Sequence, residues 1–516
     1  MRRHALPCAR LILSALWRRL RRKPWALVQP AGEYRLAGLA AEVRIRRDGA
    51  GVPHIFAESL PDLGFGIGVA MAQDRLWQME TLRRLAAGRL SEVAGDRPMD
   101  GPSAHLMGPS LLAVDRFYRS LRIRDVSREE WSLASEEGRS VLDGFARGVN
   151  AWVARCGPAD LAPEFLLAGI DPEPWRPEDA FVIGKLIGWL LSLSFVAKPI
   201  LAMLSEDPVL ARFLPPHLAA GQCIAGGTLP AETPDLDLLA RHSLGLLGPG
   251  TGSNSWVLGG ERTASGKPFL CNDPHLVFGL PALWYPLALT APTHRVIGAT
   301  MAGIPAVLIG RNDDVAWGMT AAMADEGDYY RETLDAEGER YLRAGAWRPV
   351  ETVDEAFRVQ GRREPIRQTL RYVRHDGVLC PLLATREGEP PTSFRWVGFE
   401  AWRGWDGLVR MNRATNLRDF ESALQEFAVP AQNFVAADAD GTFGYFCAGK
   451  IPRRAWAEAS PPILDGAAPE HAWDGYLAWA EHPRSVNPGV GYVVTANNRV
   501  AQELPPGLAG GFWEPP

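Results

Sequence analysis

A run of glycine and proline divides the chain into two stretches with different hydrophobic periods, and this restricts the possible fold more than any other feature. Between about 215 and 252 stand Gly221, Gly226, Gly227, Pro230, Pro234, Gly245, Gly248, Pro249 and Gly250. Such a segment has little to bury, so it reads as an exposed linker where a backbone cut is tolerated. Upstream of it, apolar residues recur at helical spacing. Leu76, Met79, Leu82 and Leu85 share a face in a helix predicted over about 61–93, and Val141, Leu142, Phe145, Val149 and Trp152 do so over about 128–155. The apolar run 180–197 contains Lys185 and reads as a buried core helix rather than a membrane span. Two short strands, 42–46 and 52–56, precede these helices around the turn Asp48-Gly49-Ala50-Gly51.

Downstream of the linker the pattern turns to strands. They are expected at 256–258, 269–271, 283–290, 295–301, 306–309, 315–320, 366–373 and 392–397. A helix is expected over 416–427, and a hairpin joins 433–437 to 443–446 across Asp438-Ala439-Asp440-Gly441. Four regions result: a leader over 1–35, a mainly helical region over 36–220, a spacer over 221–252, and a strand-rich region over 253–516.

With 516 residues, 47% hydrophobic and 22% charged, the chain has the makings of a large globular core. A net charge of -5 offers no basic footprint, so nucleic acid is not an expected partner. Six cysteines without CxxC spacing read as buried free thiols, not as a disulfide framework. In the leader, Arg2 and Arg3 precede the apolar run 11–17, and Arg18, Arg19, Arg21, Arg22 and Lys23 follow it. That order suits a signal peptide or a basic amphipathic anchor touching a membrane. The segment Gly260–Lys267 fails as a P-loop because Pro268 replaces the hydroxyl residue, and the chain has neither Gly-x-Ser-x-Gly nor HExxH.

The chemistry gathers just after the linker. Gly252-Ser253-Asn254-Ser255-Trp256 is followed by Asn272-Asp273-Pro274-His275-Leu276 and by Gly310-Arg311-Asn312-Asp313-Asp314-Val315-Ala316-Trp317-Gly318. Upstream lie Gly51-Val52-Pro53-His54-Ile55 and Ala72-Gln73-Asp74-Arg75-Leu76-Trp77; downstream lie Gln432-Asn433-Phe434, Gly444-Tyr445 and Ala496-Asn497-Asn498-Arg499. This ordered series closely resembles the penicillin acylase family of N-terminal nucleophile hydrolases, which includes penicillin, cephalosporin and acyl-homoserine lactone acylases. It covers the chain from about Val43 onward.

The resemblance implies an α+β fold, the four-layer αββα sandwich of those hydrolases, with a mainly helical α-subunit part ahead of it. Family chains continue well past the equivalent of Gly511–Pro516, so an incomplete C-terminal part is also implied. The implied function is an amide hydrolase that processes itself between Gly252 and Ser253, giving α and β subunits from one precursor. Cleavage makes Ser253 both a new N-terminus and the nucleophile. A serine hydroxyl is a weak nucleophile until a base takes its proton. A free α-amine, with a reference pKa of about 7.7–8.0, is suited to that work near neutral pH. Gly252 suits the cut because a residue without Cβ tolerates a strained backbone.

By resemblance, the oxyanion donors are the Asn433 side chain and the backbone N–H of Ala321. His275 matches a family histidine near the nucleophile, against a structural histidine as the plainer reading. Arg454 matches a family arginine near the site, against a surface arginine. The acyl pocket maps to Leu276, Ile309 and Met319. The first two are aliphatic where penicillin G acylases place aromatics, which favours aliphatic acyl chains on a small N-acylated substrate. No cofactor is required for the chemistry. Asp325 and Asp328 match the family's calcium carboxylates, which allows a structural calcium; Lys198 aligns where a family glutamate stands, and a lysine there offers the alternative of neutralising them directly with no metal. The leader implies a periplasmic or membrane-associated location, with the cytoplasm left open. The competing expectation is an unprocessed or truncated relative that binds acylated ligands without catalysis.

Overall fold

The fold is given by a computed structural model. It describes residues 32–99, 108–157, 160–192, 194–195, 198, 252–276, 279–383, 390–456, 462–498 and 501. The expected leader through residue 31 and the spacer up to 251 lie outside the described residues.

The longer helices are α1 (Leu60–Ala86), α2 (Leu111–Ser120), α3 (Ile123–Leu133), α4 (Glu136–Arg155), α5 (Asp179–Leu191), α6 (Gly404–Met411) and α7 (Leu417–Leu424). The helix expected over 128–155 is two. Ser135 adopts an extended conformation and its side chain accepts the Gly138 N–H at 3.1 Å, which starts α4 afresh. At the α1–α4 contact, Gly64 and Gly68 face Gly144 and Gly148. A methyl at any of the four would collide with backbone of the other helix, so the absence of Cβ sets the separation.

The strands are β1 (Arg44–Arg47), β2 (Pro53–Phe56), β3 (Gly252–Leu258), β4 (Phe269–His275), β5 (Trp284–Ala291), β6 (His294–Met301), β7 (Ile309–Arg311), β8 (Val315–Ala321), β9 (Gly327–Arg331), β10 (Arg340–Arg343) and β11 (Ala346–Pro349). They continue with β12 (Glu351–Phe357), β13 (Ile366–His375), β14 (Val378–Leu383), β15 (Thr392–Trp396), β16 (Gln432–Asp438), β17 (Phe443–Ala448), β18 (Pro452–Arg454), β19 (Ile463–Asp465), β20 (Trp473–Tyr476), β21 (Arg484–Val486) and β22 (Tyr492–Thr495). A nine-stranded sheet runs β1-β2-β5-β6-β7-β8-β16-β17-β21, a six-stranded sheet runs β12-β13-β14-β15-β9-β19, and a three-stranded sheet runs β22-β3-β4. The strand expected at 306–309 begins only at Ile309. Asn412 explains this: its amide exchanges hydrogen bonds of 2.8 Å with both the N–H and the C=O of Val307, replacing a ladder partner.

Burial is two-sided at the centre of the large sheet. Every residue of β16 is buried. Phe434 and Ala436 pack with Phe446, Leu63 and Phe145 on the helical face. Val435 and Ala437 pack with Tyr445, Val257 and Val493 on the other, against the three-stranded sheet. Among the described residues the layers are therefore helices, large sheet, small sheet. A second helical layer over the small sheet is not among them.

The region upstream of the linker is not a separate helical body. Its hairpin β1–β2 joins the large sheet by parallel pairing with β5, His54 opposite Ala288. Lys185 on α5 is 2% exposed and pairs with Glu130 at 3.0 Å, which explains a charge in an apolar helix. Among the described residues no helix is long and apolar enough to cross a membrane.

Candidate active site

Ser253 is the second residue of β3, which lies between β22 and β4. Gly252 is opposite His275 and Ser253 is opposite Pro274. The Ser253 hydroxyl donates to the carbonyl oxygen of the preceding residue, Gly252, at 2.6 Å. Gly252 is extended and carries no left-handed φ. The backbone strain expected of this glycine is therefore not seen, and a methyl there would stand 3.3 Å from Asn497 Oδ1, a tight contact.

Asn497 makes the contact that defines the site. Its Oδ1 accepts the Ser253 N–H at 2.6 Å, and its Nδ2 donates to the Ala321 carbonyl at 2.8 Å. Asn433 Nδ2 donates to the same carbonyl at 3.2 Å, and to Thr320 Oγ1 at 3.2 Å. Tyr445 donates its hydroxyl to Asn433 Oδ1 at 2.9 Å, which fixes the way the amide faces. Burial holds the Tyr445 phenol protonated well above its usual range, so it stays a donor. The Ala322 N–H donates to Ala431 O at 3.2 Å. Alternation in an antiparallel ladder then turns the Ala321 N–H away from β16, as an oxyanion donor requires. The structure thus gathers Ser253, Ala321 and Asn433 on β3, β8 and β16, as expected. It adds Asn497 and Tyr445, which the sequence motifs contained without assigning a role.

His275 stands opposite Gly252 in register, but its Nε2 pairs with Asp273 Oδ2 at 2.8 Å. Leu276 and Met319 are half-buried and pack against the main core cluster. Asn272 joins β4 to β8 by hydrogen bonds to both the N–H and the C=O of Met319, at 3.2 and 3.0 Å. Ile309 is half-buried on β7, outside that cluster.

Arg454 is buried, and its hydrogen bonds go elsewhere than to Ser253. Its Nε donates to Asp328 Oδ2 at 2.9 Å and its Nη2 to the Asp325 carbonyl at 2.9 Å. Lys198 completes the cluster, pairing with Asp325 Oδ2 at 2.8 Å and with Asp328 Oδ1. Ser194 donates to Asp325 Oδ1 at 2.7 Å and Trp473 Nε1 to Asp328 Oδ2 at 2.7 Å. Burial alone would raise the Asp328 carboxyl, but Arg454 and Lys198 hold it well below the usual range. All four carboxylate oxygens are therefore engaged by donors. A calcium ion asks for six to eight oxygen ligands, and a further dication beside two side-chain cations is repelled. Asp325 and Asp328 do not fit the expected metal, and among the described residues no group of three or more His, Cys, Asp or Glu is placed to hold one.

The penicillin amidase family model matches residues 42–516. The chain belongs to the penicillin amidase family. Among curated relatives it is 31% identical over 509 residues to the acyl-homoserine lactone acylase QuiP of Pseudomonas aeruginosa, covering 93% of this chain and 57% of that one. It is 30% identical over 502 residues to the penicillin acylase 2 proenzyme of Pseudomonas sp. strain SE83, covering 93% and 61%. A solved thermostable penicillin G acylase from Alcaligenes faecalis aligns at 26% identity and a TM-score of 0.45, over 50% of this chain and 46% of that one. This penicillin amidase family chain thus spans less than two thirds of the length of the curated relatives it matches. The shared stretch includes the junction at Ser253 and every site residue named above.

Proposed function

We propose that the protein is a self-processing acylase that hydrolyses the amide of small N-acylated substrates, with Ser253 as nucleophile. The observation that carries this reading is the arrangement at the junction: Ser253 Oγ against the Gly252 carbonyl, its N–H on Asn497, and Asn433 beside the Ala321 backbone. In processing, Oγ adds to the Gly252 carbonyl carbon, the Gly252–Ser253 C–N bond breaks, and the Ser253 nitrogen takes the hydroxyl proton. Water then hydrolyses the ester, leaving a Gly252 carboxylate and a free Ser253 amine. In turnover, that amine takes the Oγ proton as Oγ attacks the substrate carbonyl, and returns it to the leaving amine. Ala321 N–H and the Asn433 amide are placed for the oxyanion. Water releases the acyl group as a carboxylic acid.

Relatives named as acyl-homoserine lactone and penicillin acylases support this substrate class. The aliphatic Leu276 and Ile309 and the flexible Met319 support alkyl over aryl acyl groups. Lys198 and Arg454 supply the charge that a structural metal would supply, so neither processing nor turnover depends on calcium. Intact-mass analysis tests the reading: the chain is expected to yield a fragment beginning at Ser253, and Ser253→Ala to stay whole. The processed protein is expected to cleave octanoyl amides faster than phenylacetyl amides. An unprocessed wild-type chain that still binds acylated ligands would leave the non-catalytic reading in its place.

A further inference from the structure

We propose that Asn497 is the residue that positions the Ser253 amine, first as the amide nitrogen of the bond to be cut and then as the catalytic base; this rests on the reading of Ser253 as nucleophile. Asn497 is 3% exposed and has φ of 64°. Asparagine tolerates this left-handed conformation better than other side-chain-bearing residues. The turn it makes follows directly from β22, whose Thr495 is opposite Ser255 on β3. Continuing that antiparallel register two residues past the pair brings Asn497 alongside Ser253, where its side chain accepts the Ser253 N–H. Asn498 Oδ1 accepts the Ala496 N–H at 3.0 Å and helps shape the turn.

The orientation of the Asn497 amide follows from its partners. Nδ2 must donate to the Ala321 carbonyl, so Oδ1 is the atom left facing Ser253. An acceptor there engages one N–H and leaves the amine lone pair free for the Oγ proton. A neutral acceptor is also the right one. A carboxylate in its place would stabilise the ammonium form and take the base out of action near neutral pH. The same side chain braces Ala321, so the base and the oxyanion donor are held in one register by one residue. The titratable groups placed around the junction are His275 and Asp273 on β4, paired with each other, and the phenol of Tyr445 behind Asn433. None of these donates to or accepts from the Ser253 nitrogen, whose hydrogen bond is to Asn497.

The experiment compares wild type with Asn497→Asp, which keeps shape and turn preference, adds charge beside the Ser253 nitrogen and gives up the Nδ2 donor to Ala321; only the charge predicts a loss that high pH recovers. The readout is the rate at which a phenylmethyl sulfonyl fluoride labels Ser253, followed by mass spectrometry from pH 5.5 to 9.5, so no assumption about the amide substrate enters. Where a variant does not cut itself, a protease recognition sequence replacing residues 249–252, in wild type and variant alike, supplies the free amine. In wild type, labelling is expected to rise through the amine pKa. In Asn497→Asp this rise is expected about one pH unit higher, a ~10-fold slower labelling on the acid side that is recovered at high pH. Asn497→Leu serves as a control, slower at every pH and not recovered. A rise at the wild-type pH in Asn497→Asp overturns the positioning role. Absence of labelling in cut wild type instead overturns the nucleophile, which separates the two failures.

Discussion

At the residue scale, the candidate site is a set of neutral amides aimed by their neighbours. Asn433 is fully buried, and its direction is fixed by a donor that cannot lose its proton at working pH. This orientation matters because an inverted amide would present oxygen to a developing oxyanion. Asn433→Ala is therefore expected to lower kcat by about 100- to 1,000-fold with processing slowed in parallel, the usual cost of one oxyanion donor. Steady-state kinetics on an octanoyl amide, with folding verified by circular dichroism, measures it. Tyr445→Phe frees the amide to turn and is expected to cost less. The sequence displayed Asn433 and Ser253 openly, because both sit in short motifs with fixed neighbours. Asn497 was visible in the same way but without a role, since its partner is 244 residues away and only the pairing of β22 with β3 brings the two together.

At the element scale, the chain's patterning predicted types better than ends. The strand-rich stretch and the long amphipathic helices follow from apolar period, and β8, β13, β15, β16 and β17 lie where that period places them. Boundaries moved where side chains intervene in the backbone, as Ser135 does ahead of α4 and Asn412 does at Val307. β9 and β12 were not expected. Their ends are fixed by pairing, β12 with β13 and β9 with β15 and β19, rather than by turn residues in the sequence. The glycines of α1 and α4 present a case that sequence alone reads the wrong way, since glycine lowers helix propensity. Here each permits backbone contact with the facing helix. Gly68→Ala is accordingly expected to destabilise by roughly 1–3 kcal/mol, as overpacking does, against the gain that propensity alone predicts. Thermal or urea unfolding distinguishes the two signs.

At the scale of the whole molecule, the two regions flanking the linker form one body. β2 pairs with β5, Arg119 with Glu355 at 2.7 Å, Ser135 Oγ with Asp406 at 2.7 Å, and Lys198 with Asp325 and Asp328. A cut at Ser253 therefore leaves the upstream part anchored by a sheet, a helical interface and buried charge. The melting midpoint is expected to stay unchanged on adding calcium or a chelator. Lys198→Ala, which leaves two buried carboxylates against one arginine, is expected to lose about 3–5 kcal/mol, measured as a fall in that midpoint.

What the sequence by itself determined is local: the periods that set helix against strand, the breakers of the linker, and the short motifs carrying Ser253, His275 and Asn433. These are properties of residues close together in the chain. Only the tertiary structure decided which carbonyl the amides share and which cations face Asp325 and Asp328. Each of those depends on contacts between segments far apart in sequence. Their geometry is set by sheet register and by the packing of two halves against one another.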